Sequence, residues 1–358
     1  MADVRTMRLL AAVAGCGRRL RAKQKTGQEA CPTVGQASWP VQALFRSLLA
    51  LGLLFPMLSC VGSRSVLMDH DGAIDDYVAL VMLLNTEDRR LRGVTISFGN
   101  SYPDAAVEAT RGILTAYRVS APVGVFAPFE RGRNEFPAEW RRTSAAIKDI
   151  PAFRGAEAGP AKAAGDVLRR ALEGGGIRKL EVLVTGPLTN LAAALKGREQ
   201  GVRHIRRLVV MGGALRVAGN APDGAAEYNM FVDPEAADYV FSLAGIGLRI
   251  ELIPLDATNY LPVTRQFVER LLASPKAPAQ QAGQILSLGV DDHHYLWDGA
   301  AALALARPQL FTFVPLRLKV TPEGRTVESQ DGHGPIQVAL GIQPGARPME
   351  EVLAILER

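Results

Sequence analysis

Residues 65–80 read SVLMDHDGAIDDYVAL. An apolar run ends in four carboxylates within eight residues, Asp69, Asp71, Asp75 and Asp76, and a second apolar run follows. The first run has the pattern of a buried strand, Gly72 punctuates it, and the spacing from Ile74 onward is that of a helix. Side chains alternate along a strand, so Asp69 and Asp71 are expected to face one way and His70 the other, away from the carboxylates. Asp75 and Asp76 fall in the first helical turn, where the positive end of the helix dipole tolerates anions. All four carboxylates therefore gather at the carboxyl end of a strand, where open α/β sheets bind ligands. Carboxylates this close repel unless a cation lies between them or one holds a proton. An all-oxygen donor set suits a hard divalent ion, Ca²⁺ or Mg²⁺. Helix capping accounts for Asp75 or Asp76 but not for all four. An EF-hand is excluded, because its twelfth position counted from Asp69 is Leu80, not Glu.

The same rhythm continues outward. SVLMD, RGVTISF, APVGVF, KLEVLVT, IRRLVVMGG and LRIELIPL read as strands. Residues 74–85, 104–118, 162–173, 188–196, 233–242 and 280–306 read as helices between and after them. Alternation of this kind predicts an α/β fold, an open, mostly parallel sheet with helices on both faces. FVPLRLKV, RTVESQ and PIQVAL add short antiparallel strands near the C-terminus, followed by a closing helix. Residues 128–161 break the rhythm; they are long, charged and punctuated by Pro and Gly, as expected of a functional loop or lid.

Charge and cysteine separate the first 60 residues from the rest. The chain of 358 residues has 41 Lys/Arg, 36 Asp/Glu and a net charge of +5. Residues 1–60 hold eight of the basic and two of the acidic residues, a balance of +6, which leaves 33 against 34, or −1, for the remainder. The basic character belongs to the leader, which argues against nucleic-acid binding by the body. All three cysteines, Cys16, Cys31 and Cys60, also precede residue 61. The body therefore has neither a disulfide framework nor a thiolate metal site. FRSLLALGLLFPMLSC, residues 45–60, resembles a bacterial lipoprotein signal, with Cys60 as the lipidated first residue of the mature chain and translation starting near Val41. That resemblance implies an exported, envelope-anchored protein; an uncleaved cytoplasmic extension is the alternative. Two units are expected, a leader over 1–60 and a catalytic domain over 61–358.

Two enzyme families place DxD after a strand. VLMDHDGA resembles the first motif of haloacid-dehalogenase-like phosphatases and VLVTG their second, but no late acidic motif follows a strand. The resemblance to nucleoside hydrolases extends further. DHDGAIDDYVAL is similar to their opening motif, and VTGPLTNLA, MGGA, GN…AEYNMFVDPEAA, LDATN and WDGAAAL follow in the family's order. Ala73 departs from the purine-preferring branch, which tends to carry Asn there. Membership implies hydrolysis of an N-ribosidic bond through an oxocarbenium-like sugar. It further implies a Ca²⁺-bound water with Asp71 as the base that activates it. Asp71, Asp76, Asp298 and the Thr185 carbonyl are then the protein ligands of the ion, Asp69 orients the cluster, and Asp75 takes a ribose hydroxyl. Asn100, Asn220, Glu227 and Asn229 complete the ribose grip; Glu227 and Asn229, two apart, would share one side of an extended segment.

The body has two tryptophans, Trp140 and Trp297. By resemblance to the purine-preferring branch they would sandwich the base, binding it by stacking and easing its protonation. In the other branch a His precedes the late metal Asp, where this chain has Trp297. On one continuous helix His294 would share a face with Trp297 and Asp298, and could instead donate the leaving-group proton. His70, His204 and His333 read as structural. The expected partner is a small nucleoside, with no nucleic acid, membrane contact only through the lipidated N-terminus, and a homo-oligomer left open. A dehalogenase-like phosphatase and a nucleoside-binding lipoprotein without turnover remain the alternatives at this level.

Overall fold

The structure, a computed structural model, describes residues 63–127, 132–155, 159–174, 176, 179–291 and 295–358. Cys60 and the leader lie outside the described residues, as does His294. The opening motif forms the expected strand and helix, β1 at Arg64–His70 followed by a helix at Ile74–Leu84. Further strands are β2 (Arg89–Ile96), β3 (Val123–Val125), β4 (Lys162–Ala163), β5 (Leu180–Val184), β6 (Ile205–Met211), β7 (Ile250–Ile253), β8 (Phe311–Val320), β9 (Thr326–Glu328) and β10 (His333–Ile342). They join one sheet in the order β4-β3-β2-β1-β5-β6-β7-β10-β8-β9. Pairing is parallel from β4 to β7, and β10 also runs parallel to β7 before its antiparallel pairing with β8. The C-terminal strands thus extend the main sheet.

Both faces are covered, and strand periodicity shows how. Val66 and Met68 of β1 pack into one core with the helices Ile74–Leu84, Pro103–Ala116, Ala277–Ser287, Trp297–Ala306 and Pro348–Leu356. Leu67 points into the other, with the helices Ala164–Gly174, Thr189–Leu195 and Pro234–Ser242. Near-continuous apolar strands are what a sheet buried on both sides requires. The chain builds outward from β1 to β4 on one side and then returns to place β5 on β1's other edge. That reversal is a switch point, and a crevice opens there beyond the carboxyl ends of β1 and β5.

Two expectations from the sequence change. The helix expected over 280–306 is two helices, Ala277–Ser287 and Trp297–Ala306. Between them Tyr295 pairs with Pro262 in an antiparallel bridge, so the chain is extended just before Trp297. The second helix begins at Trp297, with Leu296 as its N-cap, so Trp297 and Asp298 stand in its first turn; the helix face expected to be shared with His294 lies outside the described residues. The segment 128–161 is not all loop; it carries a helix at Ala138–Ala145 and 3₁₀ turns at Ala146–Asp149 and Pro151–Phe153.

A buried ionic ladder crosses the sheet. Glu181 of β5 takes Arg89 Nε at 3.2 Å and Arg207 Nε at 3.0 Å, and Arg207 Nη1 reaches Glu251 Oε2 of β7 at 3.0 Å. Arg89 and Arg207 both donate to the Leu305 carbonyl, at 2.8 and 2.6 Å. They grip the last turn of the helix whose first turn carries Trp297 and Asp298.

Candidate active site

Past β1 the chain turns at Gly72, whose φ of +84° is in the left-handed region. A side chain there would also collide with Ser101 Cβ, 2.6 Å from where a Cβ would stand. The turn lets Asp76, in the first helical turn, reach back. Its Oδ2 accepts the N–H groups of Asp71, Gly72 and Ala73 at 3.2, 2.9 and 2.8 Å. Half of this carboxylate is thus a helix cap. Its Oδ1 is buried with no hydrogen-bond partner.

Asp69, Asp71, Asp75, Asp76 and Asp298 are all less than 5 % exposed. Asp69 Oδ1 accepts from Thr95 Oγ1 at 2.6 Å and Asn190 Nδ2 at 2.8 Å. Burial nevertheless raises its pKa to about 7. Burial, and then the charge of Asp76, push Asp71 well above the carboxylate range, against the Asn100 N–H that donates to its Oδ2 at 3.0 Å. Burial and the charges of Asp75, Asp76 and Asp71 do the same to Asp298. Asp75 Oδ2 accepts the backbone N–H of Asp298 at 2.8 Å, which ties the opening motif to the late one across 223 residues. Burial also works against the charge of Asp76, but the His70 imidazole, its Nδ1 3.8 Å from Oδ2, helps hold its pKa below the usual value. His70 therefore does not face away from every carboxylate. It leaves Asp69 and Asp71 on the far side of the strand but meets Asp76 on the following helix.

A cavity of about 590 Å³ opens above this floor. Of the residues singled out in the sequence, Asp71, Asp75, Asn100, Trp140, Thr185, Asn220, Glu227, Asn229, Trp297 and Asp298 line it. Asp69 and Asp76 lie buried behind it. Asn100, Thr185 and Leu255 follow the carboxyl ends of β2, β5 and β7, as the switch-point geometry requires. Gly99 passes so close to Asp71 that a Cβ there would overlap its carboxylate.

Glu227 and Asn229 line the cavity, but not from an extended segment. A short helix runs over Tyr228–Val232, and Glu227 is its N-cap. Glu227 Oε1 accepts from Asn229 N–H at 2.9 Å, and Oε2 from the N–H groups of Gly213 and Met230 at 3.0 and 3.2 Å. Burial raises its pKa and these donors lower it. Asn229 Nδ2 donates to the Thr185 carbonyl at 2.9 Å. Asn220 Oδ1 accepts the Tyr228 N–H at 2.9 Å.

The same helix start brings in a residue that the sequence reading missed. Tyr228 stacks on Phe136, with centroids 4.7 Å apart and planes 19° apart, and meets Trp140 edge-on at 5.0 Å. Phe136, Trp140 and Tyr228 form one aromatic wall; Tyr295 and Trp297, 5.8 Å apart, supply more aromatic lining. The signal for Tyr228 was its place between two candidate ligands in AEYN, obscured by an extended reading that turned it outward.

The carboxylate floor fits a hard cation in its chemistry. All donors are oxygen, Asp76 Oδ1 lacks a partner, and burial followed by mutual repulsion raises Asp71 and Asp298, a repulsion that a divalent ion relieves. The Thr185 carbonyl accepts one bond and keeps a second lone pair. Among the described residues no group of three or more His, Cys, Asp or Glu is arranged, as it stands, to hold a metal ion.

Residues 66–347 match the family described as inosine-uridine preferring nucleoside hydrolase. A pyrimidine-specific ribonucleoside hydrolase RihA of Enterobacter sp. (strain 638) is 30 % identical over 275 residues, covering 73 % of this chain and 84 % of that one. Among solved structures, an inosine-uridine preferring nucleoside hydrolase from Bacillus anthracis superposes with a TM-score of 0.74 at 31 % identity, over 82 % of this chain and 99 % of the other. A purine-preferring ribonucleoside hydrolase from Gardnerella vaginalis shares the fold, with a TM-score of 0.67 at 23 % identity over 82 % of this chain and 97 % of that one. The family match spans the opening carboxylates, residues 220–229 and the late Asp298, and it sets aside the phosphatase alternative. The chain belongs to the nucleoside hydrolase family, enzymes that hydrolyse ribonucleosides.

Proposed function

We propose that this chain cleaves the N-ribosidic bond of purine ribonucleosides in preference to pyrimidine ones, with Asp71 taking the proton from the attacking water. One observation carries the reading: a single cavity has a buried carboxylate floor of Asp71, Asp75 and Asp298 and an aromatic lining that includes both Trp140 and Trp297. Asp75, Asn100, Asn220, Glu227 and Asn229 would hold the ribose hydroxyls over Asp71. The water oxygen bonds to C1′ as the C1′–N bond breaks, and the departing ring nitrogen takes a proton to give free base and ribose. Asp71, Asp76, Asp298 and the Thr185 carbonyl would hold Ca²⁺, which when bound offsets the crowded negative charge and acidifies water.

The purine preference rests on stacking, because a bicyclic base covers more of Trp140, Tyr228 and Trp297 than a monocyclic one. A pyrimidine preference is the second reading, favoured by the names of relatives such as the Enterobacter protein. Release of reducing sugar from inosine, adenosine, guanosine, uridine and cytidine separates the two. Trp140→Ala or Trp297→Ala should cost roughly 1–3 kcal/mol of binding through lost stacking. Faster cleavage of uridine than of inosine, with both variants near wild type, would overturn the purine assignment and leave the hydrolase reading standing.

A further inference from the structure

The helix Ala138–Ala145 supplies Glu139, Trp140, Thr143 and Ser144 to the cavity, yet it has little of its own to hold it down. Only Ser144 of its eight residues is buried, and Pro137 at its start offers no side-chain cap. A helix this short needs tertiary contacts to persist. Arg141 provides them. Its guanidinium carbon lies 5.2 Å from the Phe98 ring centroid and 5.0 Å from that of Tyr102, with the side chain only 13 % exposed. Nη2 donates to the Ser101 carbonyl at 3.4 Å, and Nη1 is 4.0 Å from Glu135. One turn on, Ser144 Oγ donates to Asn100 Oδ1 at 3.4 Å. Asn100 N–H in turn donates to Asp71 Oδ2 at 3.0 Å. A continuous path therefore joins the aromatic wall to the carboxylate floor through residues 98–102.

We propose that Arg141 is a positioning residue. By clasping residues 98–102 between its own helix and the floor, it keeps Trp140 and Asp71 in register, so that a base seated on the wall has its ribose over the carboxylate. A planar, weakly hydrated guanidinium suits this place between two rings better than an ammonium does. The inference rests on the hydrolase reading for its functional consequence and on the contacts alone for the clasp.

The test compares Arg141→Ala and Arg141→Lys with the wild-type chain by amide hydrogen exchange and by steady-state kinetics on inosine and p-nitrophenyl riboside. With Ala, amides in 98–102 and in 138–145 should exchange faster together. kcat/KM for inosine should fall about 5- to 30-fold, the worth of two half-buried cation–π contacts, through both KM and kcat. The kcat for p-nitrophenyl riboside should fall as well, because Asn100 and Asp71 lose their brace whatever the leaving group; Lys should recover part of each loss. Faster exchange confined to 138–145, with kcat for p-nitrophenyl riboside at the wild-type value, would overturn the coupling. So would a lowered Tm with unchanged kinetics. A wild-type chain that releases no sugar from any nucleoside would sink the hydrolase reading, while the exchange data would still decide the clasp.

Discussion

Among single residues, Asp71 and Asp69 look alike in sequence and differ in circumstance. Asp71 faces the cavity, where its Oδ2 accepts the Asn100 N–H, and it is the group proposed to take a proton from water. Asp71→Asn should keep nucleoside binding, read by calorimetry, and lower kcat by about 10²- to 10⁴-fold, the range for loss of a general base. Unchanged kcat would transfer the role elsewhere. Asp69 sits behind the cavity, bonded to Thr95 and Asn190, with a pKa raised from 3.8 to about 7 by burial. The folded chain therefore holds this proton more tightly than the unfolded chain. The favourable contribution is complete below pH about 4 and is lost as pH rises through about 7. With cations chelated, urea melts between pH 4.5 and 7.5 should show stability falling by up to about 3 kcal/mol from this group. Asp69→Asn should flatten that part of the slope; an identical slope in the variant would exclude Asp69 as its source.

Individual elements place the site by being held at their far ends. The helix Trp297–Ala306 presents Trp297 and Asp298 at its first turn, while Arg89 and Arg207 grip the Leu305 carbonyl at its last. Those arginines are fixed by Glu181 and Glu251, so the cross-strand ladder sets where the helix can lie. Arg207→Met should destabilise the fold by about 3–5 kcal/mol in urea titrations, because it leaves buried carboxylates short of a partner. A change below about 1 kcal/mol would show that Arg89 on Glu181, with Arg249 2.9 Å from Glu251 Oε1, suffices. The break before Trp297 belongs to this scale too. The sequence carries a helical spacing through residues 280–306, and only the bridge from Tyr295 to Pro262 shows that the chain straightens there.

For the whole molecule, folding itself builds the negative charge of the site. Asp298 reaches Asp75 only because the sheet and the helices on one face bring residues 223 apart in sequence together. A cation that binds this arrangement and not the unfolded chain stabilises it by mass action, about 2.7 kcal/mol at a hundredfold excess over Kd. Chelation should lower Tm by several degrees and abolish hydrolysis, and Ca²⁺ should restore both. A chelated chain with full activity and an unmoved Tm would remove the cation from the mechanism. The sequence by itself determined the sheet, because alternating burial of Val66, Leu67 and Met68 between two cores demands apolar residues at every strand position, and that pattern needs no tertiary knowledge to read. It also located the carboxylates at a strand end, since Gly72 and the following helical spacing are local signals. Tertiary structure alone decided that Glu227 also accepts the Gly213 N–H, that Tyr228 joins Phe136 and Trp140 in one wall, that His70 meets Asp76, and that Arg141 ties that wall to Asp71. Each of these depends on a close approach between different elements, and a side chain's partner across such a gap is set by how the elements pack, not by its neighbours in the chain.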